Sequence, residues 1–299
     1  MHCPIKNSLH ILYIGRFVAG LSTGFLGITE SMLIESWFTG NELSIAIKVD
    51  IAIARFSWGL SGIIQILYFN ISKSSVSGFT LGLYATFLTL LLSIILIVID
   101  TISIYPKVIK RTKRKDDQFS FQDFKIIPFH IWILALASAF FYIAFYCNYN
   151  ICSGMLQDRF GHNIESASIS MSLPNIISAL LIPFFEALFN KLGMNSLILV
   201  GAYLLMSISH FAFSFLPQVS DPSYRCVVPL LFVGLSYSLF TSIFWRAINI
   251  ALDNKLKEAG IALITSLQGI FCTLTPYIIG TLMDIKRANG NEYFAVIFN

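Results

Sequence analysis

Charged residues in this 299-residue chain are separated by gaps too long for a soluble protein. There are 26 uncharged positions before Asp100, 32 before Asp158, 20 before Glu186, 29 before Asp221, 20 before Arg246 and 25 before Asp284. Each exceeds the roughly 18 residues that suggest a membrane helix. Composition agrees, because 56% of residues are hydrophobic and 12% charged, about half the ~25% charge of an ordinary soluble domain. Transmembrane β-strands are only about ten alternating residues long, so a barrel is excluded, as are collagen, disulfide mini-proteins and disorder. What remains is an all-α polytopic membrane protein.

Apolar runs near 9–34, 43–69, 79–103, 129–156, 166–189, 195–216, 226–251 and 259–283 predict eight spans. Residues 293–299 read as the start of a ninth, as if the chain were cut there. The longest connection, 106–128, carries Lys107, Lys110, Arg111, Lys113, Arg114 and Lys115 followed by Asp116 and Asp117. By the positive-inside rule it faces the cytoplasm and reads as a linker between two bundles. Alternation from that loop places the N-terminus outside or in a lumen, together with the sequon Asn70-Ile71-Ser72. A contact with anionic lipid is a second reading of the same basic run.

The net charge of +4 is accounted for by cytoplasmic loops, and nucleic acid is not expected as a partner. Cys3, Cys147, Cys152, Cys226 and Cys272 form no Cys-x-x-Cys pair and point to no metal. The chain carries no zinc helix, nucleophile elbow, phosphate loop or Gly-x-Gly-Asp run. An enzyme is not expected, and no cofactor is called for.

Polar side chains recur on every third span. Arg16, Gly20, Thr23, Gly27 and Glu30 share one face of the first. Tyr142, Tyr146, Tyr149 and Ser153 stripe the fourth, and Ser238, Ser242, Trp245 and Asn249 the seventh. The third and sixth spans are nearly featureless and are expected to face lipid on most sides. Arg55 shares a stripe of the second span with Lys48, Gly59 and Gly62, while Asp50 points roughly the other way. Intramembrane ionisable groups cost at least about 2.5 kcal/mol each, so they turn toward a bundle interior or water. Two readings stand for Arg16, Glu30 and Arg55: a buried ion-pair network that fixes packing, or contact with a substrate or a coupled proton. The tyrosines have two as well, as hydroxyls joining neighbouring helices or as a cavity wall.

Gly15-Arg16-Phe17-Val18-Ala19-Gly20 resembles the Arg-x-x-x-Gly motif in the fourth helix of major facilitator superfamily transporters. In that superfamily helices one, four, seven and ten line a central cavity, so the three striped spans would be family helices four, seven and ten. Residues 1–105 would then be the C-terminal part of the N-terminal half-bundle, with three spans. Residues 106–128 would be the cytoplasmic linker. Residues 129–299 would be the C-terminal half-bundle, with five spans and the start of a sixth. Family helices one to three and nearly all of twelve are missing, as expected of an incomplete gene product.

Within the superfamily, Trp37-Phe38-Thr39-Gly40-Asn41-Glu42-Leu43, Ala54-Arg55, and Gly234-Leu235-Ser236-Tyr237-Ser238-Leu239 with Trp245 are similar to the lysosomal dipeptide transporter group. Ser266-Leu267-Gln268 and Gly280-Thr281-Leu282-Met283-Asp284 are similar to it too. The chain departs from the group at Gly24, where an acidic residue is expected, and at Asn190-Lys191-Leu192-Gly193, which lacks the carboxylate of a cytoplasmic signature.

The expected function is a transporter of small amphipathic solutes, dipeptides first, working by alternating access about a midplane cavity. Arg55 is the expected partner of a substrate carboxylate, since a guanidinium offers paired donors and keeps its charge in a cavity. Tyr142, Tyr146 and Tyr149 would receive varied side chains, and Ser238, Ser242, Trp245, Asn249 and Gln268 would form the opposite wall. Arg16 and Glu30 would brace the first span or couple protons. The resemblance implies a lysosomal membrane and a glycosylated lumenal accessory subunit as partner. The alternatives are a non-transporting scaffold or sensor, and a sugar or organic-anion carrier.

Overall fold

The computed structural model describes residues 41–72, 77–103, 123–192, 195–219, 222–252 and 256–287, together with 14, 15, 17, 18, 22, 30, 33, 34, 37 and 38. Among the described residues all regular structure is helical. In hydrocarbon an unpaired backbone group costs several kcal/mol, and a helix satisfies each one within its own segment. Among the described residues seven long helices form, α1 Asn41–Ser72, α2 Ser77–Ser103, α3 Phe129–Phe160, α4 Ile164–Leu192, α5 Asn195–Phe215, α6 Val227–Ala251 and α7 Lys257–Arg287, beside the short turns Asp123–Ile126 and Tyr224–Cys226. All seven are long and apolar enough to cross a membrane. They coincide with the second to eighth spans expected from the sequence. The first span, 9–34, lies largely outside the described residues, although Ile14, Gly15, Phe17, Val18, Ser22 and Glu30 are helical. The 293–299 stub and most of the 106–128 linker also lie outside them.

The chain divides into two compact units, 1–51 and 52–299. In the second, α4 packs on α6, α5 on α6, and α7 on α3. The fit of α4 to α6 is set by Gly234: a Cβ there would lie 2.7 Å from the Pro174 carbonyl oxygen. Small residues of this kind let helix backbones approach where lipid gives little hydrophobic drive to associate. Gly59 of α1 faces α4 in the same way, with Ile176 Cγ1 2.8 Å from where its Cβ would stand.

The ends of α3 and α6 meet in a polar clasp. Helix α3 stops at Gly161, whose φ of 65° suits a residue without a side chain, and its N–H returns to the Leu156 carbonyl. Val219 N–H then donates to Arg159 O (2.9 Å) and Ser223 N–H to Phe160 O (3.1 Å). Arg159 Nη2 donates to the carbonyls of Ser214 (3.1 Å) and Leu216 (2.5 Å). His162, buried, sits between Ser166 Oγ and the Ser223 carbonyl, each at 3.0 Å.

The core of the second unit is aromatic. Phe240 stacks on Phe141 (4.1 Å between ring centroids) and on Phe244 (4.6 Å). Tyr203 meets Phe141 edge-on at 5.6 Å. By contrast α2 buries nothing between Thr80 and Ile99.

Candidate functional site

Arg55 organises the best-defined polar site. It lies within the apolar span Ile45–Ser72, where a bare cation is costly, and three aromatic rings surround it. The guanidinium carbon is 3.9 Å from the Tyr237 ring centroid, 5.2 Å from that of Trp58 and 5.3 Å from that of Phe145. All three are within the ~6 Å at which a ring quadrupole attracts a cation. Trp58 is supplied by α1 itself, one turn after Arg55, Phe145 by α3 and Tyr237 by α6. Nη2 donates a hydrogen bond to the Tyr237 hydroxyl. Nη1 is buried and has no hydrogen-bond partner among the described residues. An aromatic cage thus steadies the charge and leaves one strong donor unspent.

The α3 stripe stands beside this cage. Tyr142 is 6.3 Å from Tyr237 and 5.8 Å from Phe240, both edge-on, and stacks with Tyr146 at 6.1 Å. Tyr149 lies 6.3 Å from Trp58. So Arg55 and all three tyrosines gather around Tyr237, Phe145 and Trp58.

The α6 residues are placed differently. Ser238 Oγ donates to the Leu235 carbonyl, and Ser242 Oγ to the carbonyls of Ser238 (2.7 Å) and Ile182 (3.3 Å). Both hydroxyls are buried in backbone contacts within α6 and against α4. Trp245 is half-buried, packs on the aromatic core and meets Phe244 edge-on at 5.4 Å. Gln268 of α7 donates to Ser138 Oγ of α3 (3.1 Å), joining those two helices. Asn249 lies in α6, its side chain outside the described residues. Arg16 is also outside them. Glu30 belongs to the 1–51 unit, where its nearest titratable neighbour is the Asp50 carboxylate.

Tyr237 entered the sequence reading only within a motif, with no site role, and Trp58, Phe145, Asn148 and Asn175 were not singled out by it. A search for polar stripes skips aromatic residues, although Phe145 lies three residues after Tyr142 and four before Tyr149, on their face. Trp58 is likewise three residues after Arg55. Asn175 had a readable signal: an amide directly after Pro174 inside an apolar run. It is buried, as is Asn148, and its Oδ1 has no hydrogen-bond partner among the described residues. Both asparagines line a small cavity of about 10 Å³, with Phe145, Tyr149, Cys152 and Pro174 among its walls. That is room for about one water molecule.

Known proteins align with this sequence along most of its length. The chain is 22% identical over 304 aligned positions to the lysosomal dipeptide transporter MFSD1 of Bos taurus, and equally to that of Homo sapiens. Each alignment covers 98% of this chain and 63% of the relative. The Danio rerio protein of the same name is 20% identical, with 98% and 64% covered. This chain therefore spans a little under two thirds of the length of these relatives. The family description matches residues 2–276. With seven apolar helices and a polar site among them, the chain belongs to the Major Facilitator Superfamily.

Proposed function

We propose that this protein is a carrier of small amphipathic solutes, dipeptides first, and that Arg55 receives the substrate carboxylate. One observation carries the reading: a guanidinium within a membrane span, ringed by Trp58, Phe145 and Tyr237, with Nη1 buried and without a hydrogen-bond partner among the described residues. A purely structural arginine would spend its donors on the protein. A carboxylate is the natural complement of the remaining one, because charge-assisted pairs to a guanidinium are the strong hydrogen bonds. The aromatic faces of Tyr142, Tyr146 and Tyr149 offer surface for side chains of varied size without demanding one shape. Transport follows from alternating exposure of this site by rocking of two half-bundles, 1–105 and 129–299, linked by 106–128. The dipeptide substrate and a lysosomal membrane come from the names of the relatives.

The test is uptake of a radiolabelled dipeptide into liposomes holding the full chain. Saturable uptake is expected, and Arg55→Ala lowers it about 10- to 100-fold, the worth of one charged hydrogen bond. Arg55→Lys recovers only part, because an ammonium lacks the paired fork. Loss of organic-anion flux in Arg55→Ala with dipeptide uptake intact makes the protein an anion carrier instead. No saturable flux of any solute favours a scaffold.

A further inference from the structure

The cavity beside Asn148 and Asn175 adjoins the Arg55 cage. Phe145 takes part in both: the guanidinium sits 5.3 Å from its ring centroid, and the same side chain lines the cavity. Tyr149, another wall, lies 6.3 Å from Trp58 of the cage. The two places differ in chemistry. Among the described residues Arg55 has an unspent donor, Nη1, whereas Asn175, only 2% exposed, has an unspent acceptor, Oδ1. Pro174 has no amide proton, so the Ser170 carbonyl one turn earlier also loses its ordinary helical donor. A carboxylate, which only accepts, has nothing to offer an amide oxygen. An ammonium, which only donates, does.

The geometry points to this cavity as the receiving site for the amino end of a zwitterionic substrate whose carboxylate is held by Arg55. The inference rests on the reading of Arg55 given above and extends it. Size agrees, because about 10 Å³ takes one water-sized group, and an ammonium is of that size. The rings of Phe145 and Tyr149 add attraction for a cation. Phe145 is common to the donor site and the acceptor site, so one substrate can be held between them. Every residue lining the cavity is uncharged. A neutral pair of amides suits a carrier, which must release what it binds.

Binding of alanylalanine and of its N-acetyl derivative to the detergent-purified full chain, measured by titration calorimetry, tests this. The wild type is expected to prefer the free amine by about 10-fold or more, as for a charged hydrogen bond. Asn175→Leu brings that ratio close to one by weakening the free peptide, while Asn175→Asp, which keeps the shape and adds charge, widens it. A ratio unchanged in both variants assigns the cavity to a water molecule and overturns the inference while leaving Arg55 as the carboxylate site. Equal binding of both peptides by the wild type overturns it too. Binding of neither by the wild type removes the reading of Arg55 and this inference with it.

Discussion

Helices α2 and α6 are built from similar material and meet opposite fates. The more apolar of the two is α2, yet nothing in its Thr80–Ile99 segment is buried by protein, whereas about two thirds of the apolar stretch within Tyr224–Ile248, which holds most of α6, is. In water the ranking would be reversed. Lipid tails are as apolar as leucine, so apolar surface gains nothing by leaving them, and the inside is held by close fit and hydrogen bonds instead. Helix α6 has the means: Gly234 against Pro174, the Phe240 stack, and hydroxyls such as Ser236, which donates to the Ala202 carbonyl of α5 at 2.7 Å. Helix α2 turns its threonine and serine hydroxyls back onto its own backbone, as Thr86, Thr89 and Ser93 do.

The contrast can be broken by substitution. Gly234→Val forces a side chain against the Pro174 backbone and is expected to cost about 3 kcal/mol, read as a lowered midpoint in thermal unfolding of the detergent-solubilised protein. Phe240→Ala removes a fully buried ring stacked on two others. Only the cavity part of the usual penalty applies when the surrounding solvent is lipid, so the same assay should show about 2 kcal/mol. Gln268→Leu deletes the bond to Ser138 and is worth about 0.6 kcal/mol, the average for such bonds within membranes. Leu91→Ala in α2 is expected to fall within about 0.5 kcal/mol of zero, as for a position outside any packed feature. A large loss there would mean that α2 is packed after all.

The helices were legible because lipid imposes a length and a composition on anything that crosses it. The seven described ones begin and end within a few residues of where the uncharged runs placed them. The site was legible in part. Arg55 stood out because a cation in an apolar run needs a reason, and the tyrosines because they repeat on one face. Their shared partner did not stand out. Tyr237 sits one residue before Ser238, about 100° around the helix from it, and no one-dimensional pattern tells which of two adjacent polar residues will meet α3 and which will bond its own helix. Choosing between them takes the packing of α4 on α6, fixed by the contact of Gly234 with Pro174.

The clasp at the end of α3 has a mechanical consequence. Arg159, His162 and the backbone N–H groups of Val219 and Ser223 fasten the α3–α4 turn to the α5–α6 loop. Two hairpins already packed side by side are also joined at their tips, so a push on either turn is delivered to four helices at once, as through a crossbar.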